Sequence, residues 1–173
     1  DCNIKSIIND SIDNVSDICD ITYHKTPEIN LLNNKDLIIP YIPSHIYYII
    51  NEILKNSCVA HIQDCNENDS IDINYSEGEK DVIIKISDKA NSFPIKDINK
   101  LLTYSYSSSP IDIIEEYEVG NKPIICGFGF GLPMARLYSK YFGGDLIITP
   151  MENKGTDISI YINKLGLNSE TLI

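Results

Sequence analysis

Apolar residues recur at every third or fourth position in three segments of the chain, the spacing that gathers them on one face of an α-helix. The three segments are residues 4–19, 43–58 and 132–141, and residues 95–102 are a candidate for a shorter helix. We therefore expect three amphipathic helices and one short helix.

Other segments alternate between apolar and polar residues, which is typical of half-buried strands. Residues 71–75 and 82–86 flank one turn, residues 146–148 and 158–162 flank another, and residues 37–39 are a short strand candidate. Strand pairs combined with helices predict an α/β fold, a two-layer sandwich in which a mixed sheet has helices on one face.

Composition excludes several classes of protein. The 173 residues suit one domain, and 14 Lys and Arg against 25 Asp and Glu give a formal net charge of −11, which argues against a nucleic acid or anionic membrane partner. The five cysteines form no CxxC pair, so neither a zinc site nor a disulfide framework is indicated. No apolar run is long enough to predict a membrane span.

Three glycines alternate in residues 127–132, immediately before the third predicted helix. Glycine lets the backbone approach a ligand closely, and Pro133 is tolerated in a first helical turn. Since a helix N-terminus attracts anions, the pattern predicts a phosphate site. Glycines before a helix also serve tight turns, so this pattern alone leaves both interpretations open.

The second predicted helix carries polar residues that suit phosphoryl transfer. Glu52 and Asn56 are four apart and share one helix face, where Glu52 is a candidate general base and Asn56 a candidate Mg²⁺ ligand. Lys55 lies beside that line and contacts either phosphate or solvent. Taken alone, the three residues could equally form an ordinary solvated face.

Four segments occur in the order of the nucleotide-binding boxes of the GHKL ATPases and kinases, and further segments resemble the mitochondrial pyruvate and branched-chain 2-oxoacid dehydrogenase kinases. The joint order is far more specific than any single box. The boxes are residues 52–56, 88–92, 127–132 and 155–156, and the kinase-like segments are residues 41–47, 104–108 and 136–146.

This resemblance implies a GHKL (Bergerat) ATP-binding kinase domain over residues 1–173, without the helical bundle that precedes it in the family. It also implies ATP and Mg²⁺ as cofactors and a serine of the dehydrogenase E1 subunit as phosphoryl acceptor. The lipoyl-bearing E2 subunit would dock through the missing bundle. The mitochondrial matrix as location and homodimerisation through the sheet follow from the resemblance only.

The resemblance further assigns residues to the nucleotide. Asp88 would accept a hydrogen bond from the adenine amine, although aspartate at such a position also forms turns or helix caps. Thr156 would complete the adenine side, and Ser107 and Ser108 would meet the nucleotide at the base of a lid, unless they form an ordinary polar loop. The expected site comprises Glu52 as catalytic base, Asn56 as metal ligand, and Lys55, Asn56, Asp88, Ser107, Ser108, Gly127, Phe128, Gly129, Phe130, Gly131, Leu132 and Thr156 as nucleotide contacts.

The chain departs from the family pattern in three places. Ala90, Asn91 and Ser92 stand where the second box has glycines, Val59 replaces an arginine, and Tyr48 stands where the pyruvate dehydrogenase kinases have a histidine. Residues 111–126, where the lid belongs, are acidic. The replaced glycines and Val59 favour an alternative of the same fold, a pseudokinase or nucleotide-gated interaction module, whereas Tyr48 is also compatible with a difference between subfamilies. A histidine-kinase-like or chaperone-like ATPase is a further alternative.

Overall fold

The computed structural model describes residues 1–64, 69–90, 102–103, 130–151 and 154–164. The three long helices and both antiparallel strand pairs predicted from the sequence are confirmed, whereas all but one residue of the candidate helix at 95–102 lies outside the described residues. In chain order the elements are β1 (Cys2–Asn3), α1 (Ile4–Tyr23), β2 (Glu28–Leu31), β3 (Ile38–Ile39), α2 (Pro43–Asp64), β4 (Ser70–Glu77), β5 (Asp81–Asp88), α3 (Gly131–Tyr141), β6 (Asp145–Met151) and β7 (Gly155–Asn163).

The main sheet has five strands in the order β2-β4-β5-β7-β6. β2 runs parallel to β4, and every other neighbouring pair is antiparallel, so the sheet is mixed as expected. β1 and β3 form a separate antiparallel pair that joins the start of α1 to the segment before α2.

The helices cover one face of this sheet. Along β4 the side chains of Ile71, Ile73 and Tyr75 are buried, while those between them are partly or fully exposed. The same alternation runs through β5 and β7. On the buried side, α2 packs between α1 and α3, and its apolar residues form the centre of the core. The predicted two-layer α/β sandwich is therefore confirmed.

The ends of α1 follow local chemistry. Asn3 caps the N-terminus, where its side-chain oxygen accepts a hydrogen bond from the backbone N–H of Ser6 at 3.1 Å. His24 ends the helix in the left-handed conformation with φ of 51°, and its backbone N–H donates to the carbonyl oxygen of Asp20. None of the helices within the described ranges combines the length and apolarity that crossing a bilayer requires.

The sheet register places one end of β5 beside the start of β7. Asp88, the last residue of β5, pairs with Thr156. α2 crosses the buried side of this sheet end, and α3 begins next to α2. Polar residues of β5, β7 and α2 therefore meet at this edge of the sandwich.

Candidate functional site

The Asp88 carboxylate is buried at the end of β5, with 7% of the residue exposed. Its Oδ2 accepts a hydrogen bond from the Ser57 hydroxyl of α2 at 3.2 Å, and its Oδ1 accepts one from the Ala90 backbone N–H at 3.2 Å. The backbone of Thr156 supplies a further hydrogen bond. Burial outweighs these donors and raises the pKa of Asp88 to about 6.

Gly155 lies against the backbone of Asp88. Its φ of 113° lies in the region that favours glycine. A Cβ at this position would overlap with the backbone carbonyl oxygen of Asp88. The position therefore requires glycine for its conformation and for its close approach to β5.

Ala90 is the described part of the altered second box. It is buried at 1% exposure, and its φ is not positive, so no left-handed conformation demands glycine there. Alanine is therefore accommodated at this position without a left-handed backbone, and its Cβ occupies buried space. Asn91 and Ser92 lie outside the described residues.

Glu52 projects from α2 towards the start of α3. Its Oε1 accepts a short hydrogen bond and ion pair from the Lys55 ammonium group, with 20% of the lysine side chain and 13% of the glutamate side chain exposed. Its Oε2 faces Gly131, where a Cβ would overlap with that oxygen. Gly131 therefore leaves the space that the carboxylate occupies.

Asn56 lies one turn after Glu52 and is exposed. Its Nδ2 donates to the backbone carbonyl oxygen of Glu52 at 2.8 Å. This bond fixes the side chain on α2 and leaves Oδ1, the atom that a hard cation prefers, unused by the bond. Asn56 therefore presents an exposed amide oxygen of the kind that can ligate a hard cation.

Two departures from the family pattern lie on the same helix. Tyr48 packs its ring edge against Tyr138, with ring centroids 5.2 Å apart. Burial, and then the nearby Glu52 carboxylate, raise the pKa of this phenol, so a neutral side chain stands beside Glu52. Val59 packs partly buried against the core and supplies no charge.

The first turn of α3 has the features of an anion site. The side chain of Phe130, the N-cap residue, makes no capping hydrogen bond to this turn, so it does not compete for the first N–H groups of the helix. Phe130 precedes the helix with 46% of its surface exposed, Leu132 is partly buried, and Pro133 is buried within the first turn as the sequence predicted.

The structure thus brings the predicted residues into two adjoining groups. Asp88 and Thr156 form one group, and Glu52 and Gly131 form the other. Two neighbouring residues of α2 connect to them: Asn56 is hydrogen-bonded to Glu52, and Ser57 is hydrogen-bonded to Asp88. Sequence reasoning missed the contribution of Ser57, whose only signal was a hydroxyl within an apolar stripe. The predicted residues that lie outside the described part of the chain are Ser107, Ser108, Gly127, Phe128 and Gly129.

Three helices cover a mixed sheet, a buried carboxylate ends β5, and the Glu52 carboxylate lies at the start of α3, an arrangement that suits an α/β sandwich with a nucleotide site. Residues 41–165 match the family described as histidine kinase-, DNA gyrase B- and HSP90-like ATPase. The chain belongs to this family, and the GHKL membership expected from the four boxes is confirmed.

Within the family, the chain is similar to the pyruvate dehydrogenase (acetyl-transferring) kinases. It is 35% identical over 177 residues to isozyme 1 from Rattus norvegicus, a match that covers 97% of this chain and 40% of the relative. Isozyme 4 from Mus musculus is 33% identical, with 97% and 42% covered. The Arabidopsis thaliana kinase is 35% identical over 162 residues, with 90% and 44% covered. The chain therefore spans about two fifths of the length of these mitochondrial relatives.

Proposed function

We propose that the protein is a 2-oxoacid dehydrogenase kinase that binds Mg·ATP between α2 and α3 and transfers the γ-phosphoryl group to a serine of the dehydrogenase E1 subunit. The observation that carries the proposal is the position of Glu52. Its carboxylate faces the first residue of α3, the place where a phosphate would meet the helix N-terminus. A proton acceptor beside a phosphate site is the arrangement that phosphoryl transfer to a hydroxyl needs.

The described residues fit a nucleotide. Asp88 offers a buried acceptor to the adenine amine, with Thr156 beside it, and Gly131 leaves room for the Glu52 carboxylate at the start of α3. Asn56 offers an amide oxygen to Mg²⁺. We propose that these residues hold Mg·ATP together with Phe130, Leu132 and the residues predicted from the sequence outside the described part, Ser107, Ser108, Gly127, Phe128 and Gly129.

In this proposal each group of the chain has one task. Bound Mg²⁺ supplies charge neutralisation at the β- and γ-phosphate oxygens. Glu52 accepts the proton of the substrate serine hydroxyl as the serine oxygen bonds to the γ-phosphorus and the bond from that phosphorus to the β,γ-bridging oxygen breaks. ADP leaves, and the proton ends on a carboxylate oxygen of Glu52. The N–H groups of the first turn of α3 stabilise negative charge on the phosphates.

The partners and location are proposed from the relatives. Their names assign them to pyruvate dehydrogenase and to mitochondria. We propose the same location for this protein, a 2-oxoacid dehydrogenase complex as its target, and docking to the lipoyl-bearing E2 subunit through a helical bundle outside this chain. A homodimer through the uncovered sheet face, where Ile147 is 46% exposed, belongs to the same proposal.

Glu52→Gln is expected to lower kcat for E1 phosphorylation by about 100-fold or more, since the amide cannot accept the serine proton. The affinity for Mg·ADP should stay within about threefold of the original protein, because glutamine fills the same volume. Phosphate incorporation into E1 and calorimetry on the same full-length protein measure the two quantities. Unchanged turnover would exclude Glu52 as the base.

Asn56→Ala is expected to weaken Mg·ADP binding by about 10-fold or more, because a cation ligand is lost from an exposed position without disturbing the core. Binding of ADP measured in EDTA should change by less than about threefold. The matched control is Asn74→Ala, which alters an exposed asparagine on the outer sheet face and should leave both titrations unchanged. An equal loss with and without Mg²⁺ would contradict a metal role for Asn56.

The second candidate function is a nucleotide-gated interaction module without kinase activity. Two observations favour it: the Cβ of Ala90 fills buried space in the second box, and Val59 leaves α2 without a cation at that position. Mg·ADP binding without phosphate transfer to E1 by the full-length protein would support this candidate over the kinase.

A further inference from the structure

Lys55 and Glu52 form an ion pair within α2 that is less exposed than most surface pairs. The Lys55 and Glu52 side chains are 20% and 13% exposed, respectively. In the Lys35–Glu77 pair, whose glutamate is the last residue of β4, the side chains are 63% and 34% exposed. Partial burial reduces solvent screening, so the Glu52–Lys55 pair is better held than an ordinary helical pair. Such an interaction restricts the rotamers of both side chains.

Glu52 is in contact on more than one side. Lys55 binds its Oε1, its Oε2 faces Gly131, and Tyr48, one turn earlier on α2, lies near enough for the carboxylate to raise the phenol pKa. Only the lysine offers an ionic hydrogen bond to the carboxylate among these three groups. Without that bond, the carboxylate could rotate about the three side-chain bonds of the glutamate.

We propose that Lys55 is a positioning residue for Glu52. Its ammonium group holds the carboxylate facing Gly131, at the start of α3, where the serine hydroxyl and the phosphoryl group would meet. Holding reacting groups in place contributes to rate, and small displacements of a base are costly. The contact with phosphate or solvent expected from the sequence stays untested, and this proposal gives Lys55 a different role, one that acts through Glu52.

This inference rests on the proposed kinase function and uses the full-length protein with a 2-oxoacid dehydrogenase E1 substrate. The variants are Lys55→Met, which keeps the length of the side chain without its charge, and Lys55→Arg, which keeps the charge. Lys35→Met removes a lysine from the Lys35–Glu77 pair and serves as the matched control. The readouts are kcat, KM for ATP, and Kd for Mg·ADP by calorimetry.

We expect Lys55→Met to lower kcat by about 10- to 100-fold, while KM for ATP and Kd for Mg·ADP change by less than about threefold. Lys55→Arg should retain at least about one third of the original kcat, since its guanidinium can still hold the carboxylate. Lys35→Met should leave all three quantities within about twofold. In a Glu52→Gln background, Lys55→Met should cause no further loss in single-turnover rate, because the two residues act as a unit.

Other outcomes overturn the inference in distinguishable ways. A rise of about 10-fold in KM and Kd with kcat retained would make Lys55 a phosphate contact. An unchanged kcat would make the pair an ordinary helical ion pair, and an additive loss in the Glu52→Gln background would show that Lys55 acts independently. If the original protein binds Mg·ADP but phosphorylates no dehydrogenase subunit, the kinase proposal itself fails and the positioning role fails with it.

Discussion

Asp88→Asn is expected to make the domain more stable at pH 8 and, at the same time, to weaken nucleotide binding by about 10- to 100-fold. Burial raises the pKa of Asp88 from 3.8 to about 6, so the folded state favours the protonated carboxyl group. Ionisation therefore opposes folding. This cost is absent below the unfolded pKa of 3.8, grows as the pH rises, and is complete above about pH 6.

The size of that cost is about 3 kcal/mol, since each pKa unit corresponds to about 1.4 kcal/mol. Asparagine has no charge to desolvate. Its amide nitrogen cannot accept the hydrogen bonds that a carboxylate oxygen accepts from the Ser57 hydroxyl or the Ala90 N–H, so part of the gain in stability is lost. We expect the free energy of unfolding to rise by about 1–2 kcal/mol at pH 8 and by less at pH 5. Urea denaturation at the two pH values measures this difference.

The same substitution removes the negatively charged acceptor proposed for the adenine amine. Loss of a charged hydrogen bond should weaken Mg·ADP binding by about 10- to 100-fold at pH 8. Binding by the original protein should also weaken as the pH falls below about 6, where Asp88 becomes protonated. Asp81→Asn, at the other end of β5, is the charge-matched control. A variant that is less stable at pH 8, or that binds normally, would contradict this account of Asp88.

Gly155→Ala is expected to have the largest effect on stability. Its φ of 113° costs a non-glycine residue about 1–2 kcal/mol, and the added Cβ overlaps with the carbonyl oxygen of Asp88, an overpacking that costs about 1–3 kcal/mol more. The sum, about 2–5 kcal/mol, is a large part of the stability of a domain. We expect a lower midpoint in urea denaturation and weaker Mg·ADP binding, because Asp88 must move.

Gly143→Ala separates these two causes. Gly143 also has a positive φ, 81°, but it is exposed. It follows the C-terminus of α3, whereas the proposed phosphate site is at the N-terminus. Its substitution should cost about 1–2 kcal/mol from backbone strain alone and leave nucleotide affinity unchanged. Equal effects of the two variants on stability and binding would show that the contact between Gly155 and Asp88 is unimportant.

The elements with a clear period were predictable from the sequence. α1, α2 and the two strand pairs carry enough repeating apolar positions to reveal their structure locally. β2 was not predicted, because Glu28–Leu31 has only four residues, of which none is fully buried. Its place in the sheet depends on parallel pairing with β4, some forty residues further along the chain, and no local pattern reports such pairing.

The spacing along one helix was informative. It predicted that Glu52 and Asn56 share a face of α2, and in the structure Asn56 donates a hydrogen bond to the Glu52 carbonyl oxygen while the Glu52 carboxylate faces the start of α3. The roles of both residues in a nucleotide site stay predictions. The hydrogen bond from Ser57 to Asp88 joins α2 to β5. It depends on how the helix packs on the sheet, so no repeating pattern in the sequence predicts it. The contact of Gly155 with the Asp88 carbonyl has the same origin.

The most direct test of the central claim, that this domain binds Mg·nucleotide at the site between α2 and α3, is a calorimetric titration of the protein with Mg·ADP at pH 8, repeated with Asp88→Asn. The account predicts saturable binding of one ADP per chain by the original protein and at least about 10-fold weaker binding by the variant. An absence of binding by the folded original protein at about millimolar Mg·ADP, or equal affinity in both proteins, would contradict it.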